Sequence, residues 1–223
     1  MPGIKPRGMV RIEWSPLLAY AIGLITTDGC LSKDGRHIDM TSKDLEQIKT
    51  FLECLGLKNK IGRKVSGSTN RYCYRVQFGD VLFYKFLLSI GLSPGKTKIL
   101  KDVDIPQKYF WDFMRGHFDG DGTFYSYYDS RWKSSFMFYT VFISASYSHI
   151  RWLQDEIFRL EKVKGHITHD KKKTTYQLKY AKTDSLKILR KMYYIDDLCC
   201  LKRKRLKIEK ALNIIGLSIA QVA

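Results

Sequence analysis

Apolar residues recur at helical spacing in a segment that begins at Ser15-Pro16 and ends at Asp28-Gly29. Serine is favoured at the N-cap, proline at the first helical position and glycine just after the last turn, so this pattern predicts a helix. A second helix is predicted from about Gln107 to Asp121-Gly122. The apolar face of the first helix has six residues: Leu17, Leu18, Ala21, Ile22, Leu24 and Ile25. Two helices of the chain therefore end in the same Asp-Gly pair.

The segments that follow the two Asp-Gly pairs repeat the same order of predicted elements. Each pair precedes two strands, a helix, two more strands and a further helix, and the alternation of polar and apolar residues is clearest at 71–78 and 175–180. The stretch from Asp121 to Asp184 is about eleven residues longer than that from Asp28 to Asp80, and we place the excess in the first hairpin of the second half. The pattern predicts an α+β fold of two pseudo-symmetric αββαββα halves.

Proline and glycine mark the boundary between the halves, at Pro94-Gly95 and Pro106. We therefore expect three parts: an N-terminal half at 1–95, a linker at 96–106, and a C-terminal half at 107–223. The last part is expected to close with an extra basic helix that begins near Asp197.

The charge of the chain points to a polyanionic partner. Lysine and arginine number 39 against 22 aspartates and glutamates, which leaves a formal net charge of +17. Such an excess repels itself in the compact state, and nucleic acid would relieve that repulsion. A basic structural protein, such as a ribosomal component, is the competing class, but it gives no reason for the two matching helix ends.

Other features narrow the compartment and the chemistry. The five cysteines form no CxxC pair, which argues against a zinc site or a disulfide framework and favours reduced, mostly buried thiols. No apolar run is long enough to span a bilayer and no signal-peptide core precedes Val10, so we expect no membrane contact. The protein is expected to be intracellular, in a prokaryotic cytoplasm or an organellar matrix.

The two aspartates at the helix ends are the candidate chemical site. A carboxylate there meets the negative end of the helix dipole, which costs up to about 1 kcal/mol unless a partner compensates. Small residues at helical spacing would let the helices pack side by side and bring Asp28 close to Asp121; they are Ala19, Gly23 and Thr27 on the first helix and Gly116 and Gly120 on the second. Two adjacent carboxylates suit a divalent cation, and hard oxygen ligands suit Mg²⁺. One Asp-Gly pair is usually only a turn, but two at matching positions favour function.

These two segments resemble the paired motifs of the LAGLIDADG homing endonucleases, in the monomeric form in which one chain carries two motifs. The matching residues are Gly23, Leu24, Ile25, Asp28 and Gly29 in the first copy and Gly116, Asp119, Asp121 and Gly122 in the second. The predicted order of elements matches as well, so the resemblance covers nearly the whole chain. The first copy departs from the pattern at Thr26, where aspartate is common, but that position is not the catalytic one in this family.

The resemblance implies a site-specific endonuclease that makes a double-strand break in DNA and leaves 3′ overhangs. Each half would contribute a curved antiparallel sheet to a saddle along the major groove. Asp28 and Asp121 would hold Mg²⁺ with the backbone carbonyls of Thr27 and Gly120; Mn²⁺ would substitute, and Ca²⁺ would support binding without cutting. The protein is expected to act as a monomer.

The resemblance also implies a basic residue near each scissile phosphate. By position, Lys96 in the linker and Lys204 in the last helix are the candidates. Nearby cations are rivals for these roles: Lys98, Lys202 and Arg203.

Alternation along the predicted strands assigns a DNA-reading face. Arg71, Arg75 and Gln77 share one face with Cys73, and Gln177 and Lys179 share the corresponding face of the second half, whereas Tyr72, Tyr74, Val76 and Phe78 are assigned to the core. Arginine and glutamine can read the edges of guanine and adenine in the major groove. The residues that we expect to contact phosphates are Lys33, Arg36, Arg63, Lys64, Arg131, Lys133, Lys171 and Lys172.

Two further readings share the fold without requiring DNA cleavage. One is a maturase that assists RNA splicing by binding intron RNA. The other is a DNA-binding protein that has lost catalysis, which would be expected to lack one of the two aspartates. Asp28 and Asp121 are both present, so we favour the nuclease.

Overall fold

A computed structural model of the protein describes residues 8–65, 72–132, 134–170, 172 and 174–219. The N-terminal half contains α1 (Pro16–Asp28), β1 (Gly29–Leu31), β2 (His37–Ser42), α2 (Leu45–Cys54), β3 (Gly62–Val65), β4 (Tyr72–Gly79) and α3 (Val81–Ser89). The C-terminal half contains α4 (Phe110–Gly120), β5 (Thr123–Tyr128), β6 (Phe136–Ser144), α5 (Tyr147–Glu161), β7 (His166–Asp170), β8 (Thr175–Ala181) and α6 (Lys182–Met192), followed by α7 (Lys202–Ile214). The predicted order of both halves is confirmed.

Each half forms one four-stranded antiparallel sheet, with the strand order β1-β2-β4-β3 in the first and β5-β6-β8-β7 in the second. Every neighbouring pair of strands is antiparallel. The first hairpin differs between the halves, because β5 has 6 residues where β1 has 3. The extra residues of the second half therefore lengthen its first hairpin, as the spacing of the aspartates predicted.

One face of each sheet is buried under helices and the other is open. In β4, Val76 and Phe78 are buried, and in β8, Leu178 and Tyr180 are buried, as the alternation predicted. The prediction that Tyr72 faces the core was wrong, since 73% of this residue is exposed. Tyr72 begins β4 and pairs with Val65 of the exposed strand β3, so it lies past the cover of the helices.

The starts of several helices follow the local sequence. Ser15 caps α1 through a hydrogen bond from Leu18 N to its side chain at 3.2 Å, and Asp80 caps α3 through Phe83 N at 2.9 Å. Asp44 is the N-cap of α2 but makes no side-chain cap; its carboxylate accepts from Arg203 at 2.6 Å instead, which ties α7 to the first half. The helix α7 begins at Lys202, later than predicted, because the chain from 193 to 201 forms an irregular connection.

Two glycines let α1 and α4 pack backbone against backbone. A Cβ on Gly23 would lie 2.7 Å from His117 N and overlap the carbonyl of Phe113. A Cβ on Gly116 would lie 2.9 Å from Tyr20 C and overlap its oxygen. The core around this contact is continuous across both halves.

None of the five cysteines forms a disulfide, but the expectation that most are buried was wrong. Only Cys73 is buried, and Cys30 is exposed. The other three lie half-buried at the end of α2 and in the connection before α7, where the two halves meet: Cys54, Cys199 and Cys200. Within the part of the chain that is described, no helix is both long and apolar enough to cross a membrane.

Candidate active site and nucleic-acid interface

The close packing of α1 and α4 brings the two aspartates to neighbouring helix ends. Asp28 is the last residue of α1, and Asp121 is the C-cap of α4. A Cβ on Gly120 would lie 3.1 Å from Asp28 Oδ2 and 2.7 Å from Thr27 Cβ, so the end of α4 directly abuts the end of α1. The structure thus brings together the two carboxylates that the small-residue spacing predicted would meet.

The charge on the two carboxylates is costly. Burial, followed by the charge of Asp121, raises the pKa of Asp28 to about 7, while Lys204, Gln47 and Lys96 oppose the shift. Desolvation also raises the pKa of Asp121, although that residue lies at the solvent-exposed edge of the site. A pair with these raised pKa values needs positive charge to stay ionised at neutral pH.

Lys204 of α7 supplies part of that charge, because its ammonium lies at the C-terminal end of α4. Its Nζ donates to Phe118 O at 2.6 Å, to Gly120 O at 3.0 Å and to Gly122 O at 2.6 Å. These bonds use all three N–H donors of the ammonium and neutralise the negative end of the helix. Burial lowers the pKa of Lys204 to about 8, while the nearby aspartates oppose that shift.

Lys96 lies beside the end of α1, as Lys204 lies beside the end of α4. It is 6% exposed, and its Nζ donates to the carbonyl of Gly29, the residue that follows Asp28. No other hydrogen bond of this ammonium occurs within the described residues, so two of its donors remain open. The rival cations of the sequence, Lys98, Lys202 and Arg203, are exposed, and Arg203 is paired with Asp44.

Gln47 is a site residue that the sequence did not reveal. It is 3% exposed, and its Nε2 donates to Asp28 Oδ2 at 3.1 Å and to Asp119 O at 3.2 Å. Ser42 Oγ donates to Gln47 Oε1 at 2.6 Å and fixes the amide. The only available signal was a polar residue on the buried face of α2. His149 occupies the equivalent position in the second half, since it follows the N-cap of α5 by three residues, as Gln47 follows the N-cap of α2. Its Nδ1 contacts Lys101 O at 2.7 Å instead.

Asp119 belongs to the second motif but is not exposed at the surface of the site. It is fully buried, and its Oδ2 accepts from Tyr20 OH at 2.8 Å and from Leu201 N at 2.7 Å. These bonds tie α4 to α1 and to the start of α7. In the first copy Thr26 stands at this position and its hydroxyl donates to Ile22 O at 2.7 Å, so the two motifs differ in structure as well as in sequence.

The donors around the two aspartates fit a divalent cation. Among the described residues, no group of three or more His, Cys, Asp or Glu side chains is placed to hold a metal ion, so the protein offers two carboxylates and backbone oxygens. The carbonyl of Gly120 already accepts one hydrogen bond from Lys204 and keeps one lone pair. An all-oxygen donor set with few protein ligands is typical of Mg²⁺ sites that also use phosphate and water.

The open face of the first sheet carries charged and amide side chains. Arg75 and Gln77 lie on it, and Lys64, which pairs with Cys73, shares the face. Arg75 forms an ion pair with Asp39 across β2 and β4. Arg63 pairs with Tyr74 and therefore points to the opposite side from Lys64.

The predicted contacts elsewhere are dispersed over the surface. Gln177 and Lys179 are half-buried on the open face of β8, and the exposed cations Lys33, Arg36, Arg131 and Lys172 lie in loops. Arg131 is paired with Asp129 at 3.1 Å. Three further candidates, Arg71, Lys133 and Lys171, lie outside the described residues.

Comparison with known proteins supports the resemblance. Residues 15–91, from the N-cap of α1 to just past α3, match the family described as the LAGLIDADG-like domain. The structure is similar to the homing endonuclease I-WcaI bound to its DNA recognition sequence, at 13% identity and a TM-score of 0.58, over 87% of this chain and 86% of that chain. I-DmoI in complex with DNA and Ca is similar at 15% identity and a TM-score of 0.53, over 81% of this chain and 91% of that chain.

A third similar structure is the N-terminal LAGLIDADG domain of WhiA, at 16% identity and a TM-score of 0.54, over 83% of this chain and 85% of that chain. No curated protein sequence matches this chain significantly. The LAGLIDADG resemblance is therefore confirmed by the family match in the first half and by the fold across the chain. At these identities the structural similarity concerns the fold alone.

Proposed function

We propose that this protein is an endonuclease that recognises a specific site in double-stranded DNA and cuts both strands by metal-dependent phosphodiester hydrolysis. The observation that carries the proposal is the pair of adjacent helix-end carboxylates, Asp28 and Asp121, with one buried lysine beside each. A protein that only binds DNA has no need for this arrangement, because two adjacent carboxylates repel both each other and a phosphate backbone.

DNA binding is supported by the charge and by the open sheet faces. A net charge of +17 favours a polyanion, and two twisted antiparallel sheets can follow a duplex. The face with Arg75, Gln77 and Lys64 in the first half, and with Gln177 and Lys179 in the second, offers donors to bases and phosphates. I-WcaI, which has this fold, was solved with its DNA recognition sequence.

Asp28 and Asp121 would hold the cation, together with the carbonyls of Thr27 and Gly120. A bound divalent cation supplies the positive charge that stabilises a phosphoryl-transfer transition state. We expect Mg²⁺ to support cutting, Mn²⁺ to substitute for it, and Ca²⁺ to support binding without cutting. An I-DmoI complex was solved with DNA and Ca, which agrees with divalent cations at this fold.

The residues of the chain itself would prepare the site. The amide of Gln47 orients Asp28 through the 3.1 Å hydrogen bond. Lys96 keeps open donors, and we propose that it contacts a phosphate oxygen of the bound DNA. All three donors of Lys204 are used in this structure, so it would act through its charge and by holding the end of α4. To contact a phosphate, it would have to release one of the three carbonyls.

The test is to incubate the full chain with a randomised library of DNA duplexes in Mg²⁺ and, in parallel, in Ca²⁺. The proposal predicts cut ends at a defined sequence with short 3′ overhangs in Mg²⁺, and retention of the same sequence without cutting in Ca²⁺. The doubly substituted Asp28→Asn, Asp121→Asn protein should bind that sequence and leave it uncut. Sequence-specific binding without cutting in Mg²⁺ would favour a silent DNA-binding protein, and preference for structured RNA over every duplex would favour a maturase.

A further inference from the structure

The open face of the second sheet carries a stack of three tyrosines. The rings of Tyr125 and Tyr139 have centroids 5.2 Å apart and lie within 15° of parallel. Tyr127 lies 6.3 Å from Tyr139, within 4°, and 6.4 Å from Tyr125, within 12°. Parallel stacking of three aromatic rings produces a rigid apolar wall that protrudes from the sheet.

The sheet register places these rings on the side away from the helices. Tyr125 pairs directly with Tyr139 across β5 and β6, so both point to the same face. The neighbouring residues Phe124 and Phe138 point to the other face and are buried in the core. The tyrosine stack is therefore on the surface that corresponds to the Arg75 face of the first sheet.

The two open faces differ in charge. The first presents Arg75, Lys64 and Asp39. In the second, β5 and β6 contain no charged residue. Lys179 of β8 pairs with Val141, and the ion pair of Asp129 with Arg131 lies just past the end of β5. A hydrogen bond with Tyr139 raises the pKa of Tyr127, and burial raises the pKa of Tyr125. The two sheets therefore offer DNA different chemistry.

An uncharged aromatic wall recognises a particular feature of the major groove. The C5 methyl of thymine is the apolar group that distinguishes its base pair there, and it is read by apolar side chains. Arginine instead reads guanine through two hydrogen bonds. The strands of a sheet fit the width of this groove, so rings that protrude from the open face would meet the methyl groups.

We propose that Tyr125, Tyr127 and Tyr139 are specificity-determining residues that recognise thymine methyl groups in the half of the DNA target that the second sheet contacts. The two halves of the target are then read differently, one by thymine methyl contact and the other through Arg75 and Gln77. This inference rests on the proposed DNA binding, but it does not depend on cleavage.

The test is to replace each thymine of the selected duplex, one at a time, by deoxyuridine, which lacks only the methyl group. Binding is measured in Ca²⁺ for the wild-type chain and for Tyr127→Ser and Tyr139→Ser. Serine removes the ring and has no methyl group that could itself contact the thymine methyl. Tyr128→Ser is the matched control, because Tyr128 is the next residue of β5, is also exposed and points to the opposite face.

We expect deoxyuridine to weaken wild-type binding about fourfold per contacted methyl, which corresponds to the transfer of one buried carbon group. The sensitive positions should cluster in one half of the target. Tyr127→Ser and Tyr139→Ser should bind more weakly and lose that sensitivity, whereas Tyr128→Ser should keep it.

Two results would overturn the inference while leaving the proposed function intact. One is a wild-type protein that binds its selected duplex without any sensitivity to deoxyuridine, a result that does not depend on whether a variant folds. The other is equal sensitivity in the wild type and in folded Tyr127→Ser. Absence of sequence-preferring DNA binding would instead overturn the proposed function.

Discussion

At the scale of single residues, the site depends on buried charges that stabilise one another. The burial of Lys204 is costly for an ammonium, and the three carbonyls that accept its hydrogen bonds offset that cost. The same charge opposes the rise in the pKa of Asp28 and of Asp121 that burial causes. Lys204 thus combines a structural contribution with the catalytic contribution that we propose for it.

Lys204→Met keeps the length of the side chain and removes the charge. We expect it to lower the free energy of unfolding by about 1–3 kcal/mol, because buried carbonyls lose their donor, and to slow cleavage by about 100-fold. Urea denaturation and single-turnover cleavage measure the two effects. Lys202→Met, which changes an exposed lysine of the same helix, is the control, and equal cleavage rates for the two variants would contradict the role given to Lys204.

A second buried pair makes stability depend on pH. His149 stacks on His117, with their Nε2 atoms 3.2 Å apart, and both are buried. Burial, aided by the charge of Lys96, lowers the pKa of His149 to about 4, although the hydrogen bond with the carbonyl of Lys101 opposes the shift. The unfolded chain takes up the proton near pH 6.5, and the folded chain does so only near pH 4.

The contribution of His149 to the free energy of unfolding is therefore fully present above about pH 6.5 and is lost as the pH falls toward 4. The loss is at most about 3 kcal/mol. His149→Gln can keep a donor for Lys101 O and does not titrate, so the free energy of unfolding of this variant should fall less steeply between pH 7 and 4.5. His166→Gln, at an exposed histidine, is the control. Identical pH slopes for His149→Gln and the wild type would refute this account.

At the scale of elements, the position of the site follows from the contact between α1 and α4. Gly23 and Gly116 face the backbone of the partner helix, where a Cβ has no space. The displaced neighbours are backbone atoms, which cannot rotate away as a side chain can. Separation of the helices would also move Asp28 away from Asp121.

Gly23→Ala should therefore lower the free energy of unfolding by at least about 1–3 kcal/mol, the usual cost of overpacking, although alanine favours a helix. Gly62→Ala is the matched control, because its Cβ would come no closer than 3.8 Å to the nearest heavy atom, Arg75 O. Urea midpoints compare the two. A Gly23→Ala protein as stable as the wild type would contradict the close contact of the helices.

The order of elements could be predicted from the sequence because its signals are local. Caps such as Ser15 and Asp80, the alternation in β4 and β8, and the duplicated Asp-Gly pairs each involve a few neighbouring residues. The strand order in each sheet could not be predicted, since it depends on pairing between distant segments. Tyr72 was assigned to the core because alternation does not show where the helical cover ends.

The candidate site was predictable where the repeat marked it and not elsewhere. Asp28 and Asp121 occupy matching positions, so the sequence indicated both. Gln47 has no counterpart of its own type in the second half, and only the folded structure brings it to Asp28. Lys96 and Lys204 could not be distinguished from exposed neighbours until the structure showed which ammonium groups are buried.

At the scale of the whole molecule, the charge distribution predicts how binding responds to salt. Each phosphate contact releases counterions, so log K should fall with log salt concentration at a slope of about −0.9 per contact. With a net charge of +17, we expect binding to the selected duplex to weaken steeply between low and physiological salt. A titration by fluorescence anisotropy measures the slope, and a flat response would remove the electrostatic part of the account.

The central claim is that Asp28 and Asp121 form a metal-dependent site that cuts DNA, and single-residue variants test it most directly. A supercoiled plasmid that carries the selected target is incubated in Mg²⁺ with the wild type, Asp28→Asn, Asp121→Asn or Asp197→Asn, whose altered carboxylate is exposed and outside the site. The account predicts linear plasmid from the wild type and from Asp197→Asn, and none from the two site variants, which should still bind the target in Ca²⁺. Linear plasmid at the wild-type rate from either site variant would contradict it.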